Sequence, residues 1–298
     1  MNKKKSLVID TYNNRTPKKF LKKIGFLNQY LHPKSSMYLD MRTGILRSEL
    51  KNSPKQILEY WSNKIFRSKK IDDYSAKLPF AKARLQYVFE TINIFFKKKK
   101  SLKICDYACG EGILLDIFKK EGYSNLLGIE HSKLLAKQIR KKKIDCLSAG
   151  LGFGELNNLK RLKKINLGIL SWVLCNCINP YKVLMEISDN TQKNGYICIV
   201  ESSRILVPFR KNLKDYLNKK HINDTHPWHF SKTSLSSLLN LCKFEIVYIN
   251  RYYDTDVLLI IAKKKQINKK LVKTDSPKKI YNFISEWNKF SKKNIFDT

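Results

Sequence analysis

The sequence predicts a doubly wound α/β fold, because strand and helix patterns alternate around a glycine-containing turn. Leu102–Asp106 is a short, mostly apolar run typical of a buried strand, and a helical pattern follows with apolar residues at 113, 114, 115, 117 and 118. A second apolar run, 126–129, ends at Glu130. Strand, turn, helix, strand and acid in this order are typical of the nucleotide-binding half of an open, mostly parallel sheet.

The turn after the first strand indicates which kind of cofactor fits. Its small residues are Ala108, Gly110 and Gly112, with Glu111 between the last two. A dinucleotide-binding fold uses the spacing G-x-G-x-x-G and holds a pyrophosphate at the helix N-terminus. Glu111 would repel a pyrophosphate, whereas it is compatible with a cofactor that carries a sulfonium and an ammonium group.

Two acids flank this turn in positions suited to such a cofactor. Asp106, at the tip of the strand, can orient the ammonium group directly or through water. Glu130 lies about 20 residues beyond the turn, where an acid accepts both ribose hydroxyls. Backbone N–H groups of the turn would receive the amino-acid carboxylate of the cofactor.

The segment Asp106–Gly112 resembles the D/E-x-G-x-G-x-G motif of the Rossmann-like S-adenosylmethionine-dependent methyltransferases, with Ala108 at the first glycine. We expect that alanine fits there only if its backbone avoids positive φ. The resemblance covers roughly residues 55–264. It implies a seven-stranded Rossmann-like sheet whose last hairpin is antiparallel, and S-adenosylmethionine as the cofactor.

Later strand patterns extend this sheet and supply further cofactor contacts. A weak third strand precedes a glycine-rich loop, in which we expect Gly150 and Leu151 to line the adenine. Members of the family often carry an acid in this region for the adenine amine, and here Glu155 or backbone groups would take that role. The fourth strand ends at Ser171 and Trp172, which we place beside the transferring methyl group.

The acceptor side follows the fifth strand, which ends at Glu201. An insertion at 205–227 interrupts the core and should lie over the active-site edge. Methyl transfer to a hydroxyl group needs removal of a proton, and histidine side chains titrate near neutral pH. The residues that we expect to face the acceptor, as catalytic candidates, are Glu201, Arg204, His226 and His229.

Two other roles for these histidines stay open. One is metal binding, because imidazole and carboxylate ligands suit several divalent ions. The ligands would be His221, Asp224, His226 and His229. Loop spacing alone is weak support for such a site, and we predict none. The other is purely structural: His229 would support the corner before the helix that Ser231 caps.

Basic segments flank the core, which spans 101–264. Residues 1–52 look irregular, with lysine clusters and two prolines, and residues 53–100 predict a helical lid over the cofactor. The candidate lid contacts are Tyr60, Trp61, Tyr74, Arg84 and Tyr87. Residues 265–298 form a basic tail with apolar residues at helical spacing, 280, 283, 284, 287 and 290. Such a helix either packs on the domain, which we favour, or rests on an anionic membrane surface.

Charge and cysteine content bound the class of protein. The chain has 298 residues and a formal net charge of +34, which comes mostly from lysine. Nucleic-acid sites rely on arginine for bidentate contacts, so scattered lysine favours a solvated surface over a polyanion site. Seven cysteines without a C-x-x-C pair, no secretory signal and no run of membrane-span length predict a soluble, cytoplasmic protein with reduced thiols.

These observations together predict a methyltransferase that uses S-adenosylmethionine to methylate a small molecule or glycan precursor. The pattern from 226 to 264 resembles methyltransferases of cell-surface polysaccharide and sugar modification, which implies a sugar hydroxyl as the acceptor. One alternative is an RNA methyltransferase that uses the lysine-rich ends as a phosphate footprint. The other is a scaffold that binds the cofactor without catalysis.

Overall fold

The structure is a computed structural model that describes residues 3–49, 53, 55–60, 79–159, 162, 164–202, 205–209, 211–217, 226–251, 257–265 and 272–293. The strands are β1 Leu21–Lys23, β2 Met37–Asp40, β3 Leu46–Ser48, β4 Ile104–Tyr107, β5 Leu126–Ile129, β6 Asp145–Leu147, β7 Ile165–Ser171, β8 Thr191–Glu201, β9 Trp228–His229, β10 Phe244–Ile249 and β11 Leu258–Lys264.

The helices lie between these strands and at both ends of the chain. They are α1 Lys3–Tyr12, α2 at residues 55–60, α3 Pro79–Phe95, α4 Ile113–Lys120, α5 Lys133–Lys141, α6 Pro180–Asn190, α7 Leu213–Leu217, α8 Lys232–Leu241 and α9 Pro277–Lys292. Several begin at side-chain caps. Ser132 accepts from the N–H of Leu135, and Asn179 accepts from the N–H of Lys182 with a proline at the next position. These caps satisfy N–H groups that a helix start otherwise leaves without a partner.

The large sheet has seven strands in the order β10-β11-β8-β7-β4-β5-β6. Strands β4 to β8 pair in parallel, whereas β11 is antiparallel to both β8 and β10. The predicted Rossmann-like sheet with an antiparallel last hairpin is confirmed. Buried apolar clusters cover both of its faces, because helices pack on each side. The parallel strands end along one edge, here called the carboxyl edge, and begin along the opposite amino edge.

The N-terminal segment is not irregular, so that expectation is wrong for its described residues. Strands β1, β2 and β3 form an antiparallel sheet, and β3 pairs with β9, placing Leu46 opposite His229. Asp40 is fully buried there and accepts from Thr11, Thr16 and Arg42. Burial would raise the pKa of Asp40, but these hydrogen bonds outweigh it and lower the pKa. Strands of three or four residues are too short to show a clear alternating pattern.

Helix α9 packs against the domain through its apolar face, the alternative that we favoured. Ile280, Ile284 and Trp287 are buried in one cluster with residues of the small sheet and of α7. The indole of Trp287 also donates to the carbonyl of Lys211 at 2.8 Å. The apolar stripe is therefore covered within the protein. None of the helices described here is long and apolar enough to cross a membrane.

Candidate cofactor and acceptor site

The carboxyl edge gathers the acids and glycines that the sequence singled out. Parallel pairing places Asp106 beside Gly128 of β5 and Ile169 of β7. Glu130 follows β5 directly, and its N–H donates to the carbonyl of Leu147 at 3.0 Å. Ends of neighbouring parallel strands meet at one edge, which is where open α/β sheets bind their ligands.

The turn after β4 has an unusual backbone. Ala108, Gly110 and Gly112 all have left-handed φ angles, of 56°, 55° and 70°. The expectation that Ala108 avoids positive φ is therefore wrong. An L-residue in this region costs about 1–2 kcal/mol, and such strain concentrates at functional sites. The N–H of Cys109, which donates to the carbonyl of Ile129 at 3.0 Å, ties the turn to β5 and keeps Ala108 in this conformation.

The two glycines of the turn have different roles. A Cβ on Gly110 would meet no atom within 4 Å, so the space in front of this residue is open. A Cβ on Gly112 would lie 2.9 Å from Cγ1 of Ile139 in α5. Gly112 is therefore required for packing at the start of α4, whereas Gly110 leaves its backbone open toward the cavity described below.

Asp106 and Glu130 form an acidic pair at the centre of this edge. Glu130 accepts from the N–H of Gly110 at 2.9 Å and from the N–H of Ser132 at 2.8 Å. Burial raises the pKa of Glu130, and these backbone hydrogen bonds oppose the shift. Burial and the nearby Glu130 carboxylate raise the pKa of Asp106 to about 8. The site therefore favours positive charge in front of Asp106.

The glycine-rich loop 149–154 is held by carboxylates. Glu186 of α6 is buried and accepts from the N–H groups of Gly154 at 2.8 Å and Gly152 at 3.2 Å. Glu155 accepts from the N–H of Gly150 at 2.8 Å. Both carboxylates therefore fix the backbone of the loop, and the role we gave Glu155 toward an adenine amine would compete with its own loop contact.

A cavity of about 510 Å³ lies in front of the carboxyl edge. This volume falls within the range of about 300–1,000 Å³ that is usual for small-molecule sites. The predicted cofactor residues that line it are Ala108, Gly110, Glu130, Leu151, Ser171 and Trp172. The other three, Asp106, Gly112 and Gly150, lie behind this lining.

The cavity offers polar groups that fit the cofactor implied by the turn. The hydroxyl of Ser171 and the indole N–H of Trp172 are buried and have no hydrogen-bond partner among the described residues. Buried polar atoms in this state cost stability unless a ligand or water meets them. Trp172 is also held at a φ of 58°, which aims its ring from the end of β7. With the open space at Gly110 and the acidic pair, the residues present fit S-adenosylmethionine.

A second cavity of about 240 Å³ adjoins the first at Trp172, which lines both. Its walls combine aromatic rings with titratable groups. The residues are Trp172, Cys175, Glu201, Ser202, Lys211, Asp215, Tyr216, His226, Trp228, His229 and Phe230. Glu201 ends β8 and accepts from the N–H of Cys175 at 3.1 Å. Burial raises the pKa of Glu201 to about 7, against the hydrogen bonds that it accepts.

Both histidines that we expected at the acceptor line this second cavity. Nδ1 of His226 is hydrogen-bonded to Oδ1 of Asn176, with Sγ of Cys175 at 3.8 Å. Because an amide oxygen only accepts, this contact assigns the proton to Nδ1 and the lone pair to Nε2. Nδ1 of His229 lies 3.0 Å from the hydroxyl of Tyr216. His229 reaches this position through β9, which the N-terminal sheet holds.

Several predicted residues lie outside the described part of the chain. They are Arg204, Trp61, Tyr74, His221 and Asp224. Among the residues that the structure does describe, no three His, Cys, Asp or Glu side chains gather where they could hold a metal ion.

The described lid candidates contact the site at its border. Arg84 of α3 stacks its guanidinium over the ring of Trp172 at 5.4 Å, and the hydroxyl of Tyr87 accepts from Asn250 at 3.0 Å. Tyr60 lies in α2 and is absent from both cavity linings. The lid residues that line the large cavity are Ile57 and Leu58.

Sequence reasoning missed three polar residues of this site. Asn176 bonds His226, Asn179 lines the large cavity and donates to Asn13 at 2.7 Å, and Glu186 holds the glycine-rich loop. The two asparagines follow β7 directly, so their place after a strand end was an available signal. Glu186 had none, because it lies within a helix 32 residues from its partner Gly154.

Comparison with known proteins agrees with this geometry. The family model for a methyltransferase domain matches residues 80–249. No protein of curated function matches the sequence significantly.

Solved structures share the fold at low sequence identity. One is the 1,6-didemethyltoxoflavin-N1-methyltransferase of Burkholderia thailandensis with bound S-adenosylhomocysteine, at TM-score 0.54 and 10% identity over 80% of this chain and 98% of that one. Another is the magnesium protoporphyrin IX methyltransferase of Synechocystis with bound S-adenosylhomocysteine, at TM-score 0.51 and 13% identity over 72% and 100%. The cyclase SpnF matches at TM-score 0.52 and 11% identity over 72% and 97%.

The family model covers more than half of the 298 residues, and the strand order of the large sheet agrees with it. The chain therefore belongs to the methyltransferase domain family, with the Rossmann-like fold of its S-adenosylmethionine-dependent members.

Proposed function

We propose that this protein transfers the methyl group of S-adenosylmethionine to a hydroxyl group of a small molecule or glycan precursor, with a sugar derivative as the first choice. The observation that carries the proposal is the pair of cavities that meet at Trp172. One is bordered by the acidic pair and the glycine turn, and the other by two histidines and a buried carboxylate.

The large cavity would hold the cofactor, which supplies a methyl group on a positively charged sulfur. Glu130 accepts two backbone N–H groups, and a carboxylate has about four acceptor positions, so it can also accept the ribose hydroxyls. Asp106 would face the ammonium group, and the open backbone of Gly110 would approach the amino-acid portion. The loop 149–154, held by Glu186, would enclose the adenine.

The small cavity would orient the acceptor and receive its proton. The tautomer fixed by Asn176 leaves Nε2 of His226 to take the hydroxyl proton as the oxygen bonds to the methyl carbon. The bond between that carbon and sulfur breaks, and its electron pair stays on sulfur. Glu201 holds the turn after β7 through the N–H of Cys175, so it positions Asn176. Alignment in a site that excludes water supplies most of the rate.

The lining of the small cavity supports a sugar-sized polar acceptor. Four aromatic rings and several hydrogen-bonding side chains suit a molecule with apolar C–H faces and polar hydroxyls. The volume of about 240 Å³ suits one ring rather than an extended polymer. The resemblance of residues 226–264 to enzymes of sugar modification agrees with this choice. Similarity to a cyclase keeps the non-catalytic alternative in view, because fold alone does not fix a reaction.

The first experiment is calorimetric titration of the protein with S-adenosylhomocysteine, with NAD as the control ligand. We expect tight binding of the first and none of the second. Binding of neither would overturn the cofactor assignment.

Turnover with labelled S-adenosylmethionine then tests the acceptor, with sugar derivatives before RNA. His226→Asn should abolish transfer to the accepted sugar and leave cofactor affinity unchanged. Cofactor binding with no transfer to any sugar or RNA would favour the scaffold alternative, and transfer to RNA alone would favour the RNA methyltransferase.

A further inference from the structure

The amino edge of the large sheet, opposite the site, is lined with lysine. Lys103 and Lys164 directly precede β4 and β7, and Lys143 precedes β6 by two residues. Lysines also follow the ends of α3, α4 and α5, which run back to this edge. We call this set the basic band: Lys97–Lys100, Lys103, Lys119, Lys120, Lys141–Lys143, Lys164 and Lys193.

Contacts show that the basic band is continuous on one side of the molecule. Nζ of Lys100 donates to the carbonyl of Glu121 at 2.5 Å, next to the end of α4. Nζ of Lys119 donates to the carbonyls of Lys142 at 2.6 Å and Lys143 at 3.2 Å, which joins α4 to α5. The N–H of Asn166 donates to the carbonyl of Lys103 at 3.0 Å, which joins the lysines before β4 and β7.

Helix-end stabilisation explains only part of this band. Cations near a helix C-terminus are favourable, and Lys100, Lys119 and Lys142 bond backbone carbonyls in this way. The remaining lysines are more numerous than the helix ends need, and most are exposed, those at 97–99, 120, 141, 143, 164 and 193. Acids on this side, Glu121 and Asp145, are few. The two edges of the sheet therefore carry opposite charge, with buried acids at one and exposed lysines at the other.

We propose that the basic band binds the phosphodiester backbone of a nucleic acid, away from the edge where methyl transfer occurs. Lysine is a flexible point charge that neutralises phosphates without reading bases, so binding should be independent of sequence. A membrane surface is the less favoured partner, because interfacial binding also needs large apolar residues that insert between lipids. Beside the band, Ile94 is the large apolar side chain that is strongly exposed among the described residues, at 74%.

The proposal separates nucleic-acid binding from methyl acceptance. A nucleic acid on the amino edge lies across the thickness of the sheet from Trp172 and the small cavity. The bound polymer would therefore localise the enzyme and would not be methylated. Saturating nucleic acid should leave the affinity for S-adenosylhomocysteine unchanged.

The test uses fluorescence anisotropy with a labelled single-stranded RNA of about 20 nucleotides and an unrelated DNA duplex, over a series of salt concentrations. The band variant carries Lys99→Gln, Lys120→Gln and Lys141→Gln, which are exposed lysines outside both cavities. The control variant carries Lys18→Gln, Lys23→Gln and Lys278→Gln, which are equally exposed and lie on the small sheet side. The two variants lose the same net charge. Unchanged S-adenosylhomocysteine affinity verifies folding in both.

We expect the band variant to bind RNA at least tenfold more weakly, and its salt slope to fall by about 2, at roughly 0.7 per lost contact on a single strand. The control variant should stay within twofold of the wild type. Equal losses in the two variants would reduce the effect to net charge and overturn the proposal. So would absence of binding at near-physiological salt, or band-dependent binding to anionic phospholipid vesicles without binding to either nucleic acid.

Discussion

Gly110→Ala provides a direct test of the cofactor site, because the chain offers a matched control. Gly110 and Gly122 both have left-handed φ angles, of 55° and 84°, and a Cβ on either would meet no atom within 4 Å. Gly110 lines the large cavity, whereas Gly122 is exposed in the turn after α4. The two substitutions therefore impose the same backbone strain and differ only in whether the new methyl group enters the cavity.

The magnitudes follow from the backbone and the chain length. Left-handed alanine costs about 1–2 kcal/mol, partly offset because alanine reduces the entropy of the unfolded chain by about 0.4–1 kcal/mol. Each variant should lose roughly 1 kcal/mol of unfolding free energy, which lowers Tm by about 2 °C for a chain of 298 residues. A ligand at about 100 times its Kd adds about 2.7 kcal/mol, which raises Tm by about 4 °C.

Thermal unfolding with and without S-adenosylhomocysteine separates the two effects. We expect both variants to melt at about the same temperature without ligand, since the strain is the same. Gly122→Ala should keep the full ligand-induced rise, and Gly110→Ala should lose most of it, with calorimetry giving at least a tenfold weaker Kd. If both variants keep the same rise, the methyl group added by Gly110→Ala does not meet the ligand. The cavity would then not be the cofactor site.

Three further expectations concern acids and strain around the turn. Since the pKa of Asp106 is raised to about 8 from 3.8, the folded state keeps a proton that the unfolded chain releases, so stability without ligand should fall as pH rises from about 4 to 8. Ionised Asp106 would attract the ammonium group, so S-adenosylhomocysteine affinity measured by calorimetry should rise between about pH 6 and 8; a flat profile, or one shared by Asp106→Asn, would contradict this. Glu186→Gln can accept with one oxygen where the carboxylate accepts with two. It should weaken S-adenosylhomocysteine binding tenfold or more, yet leave binding of free methionine unchanged; equal losses for both ligands would show that Glu186 supports the whole domain rather than the adenine loop. Ala108→Gly removes a left-handed alanine at φ 56° and should raise the unfolding free energy by roughly 1 kcal/mol in denaturant titration, and a loss of stability would show that its Cβ makes contacts worth more than the strain.

The cofactor edge could be predicted from the sequence because its signals are local. Strand, turn and helix are read from adjacent residues, and the cap at Ser132 and the acid at Glu130 follow within one β-α unit. The fold class followed from the repetition of that unit. Only the φ of Ala108 went against local reasoning, because a contact between Cys109 and β5 overrides the preference of alanine.

The acceptor side could not be predicted in the same way, because its contacts join distant residues. His229 pairs with Leu46, Tyr216 reaches His229 from α7, and Glu186 holds a loop more than 30 residues earlier in the chain. Histidines 226 and 229 were found by residue type and position, but the strands that hold them are too short to show a period. A run of three or four residues becomes a strand only when its partner is present.

The pairing of β3 with β9 also determines which part of the chain each half of the site depends on. The elements that border the large cavity, from β4 to β8, lie within about one hundred consecutive residues. The wall of the small cavity is held by strands near the start of the chain, and these are covered by α9 near its end. A shortened chain that lacks either end would therefore keep the surface that binds a cofactor and lose the surface that selects an acceptor. Choice of substrate can consequently change through the terminal segments without altering the chemistry of the core.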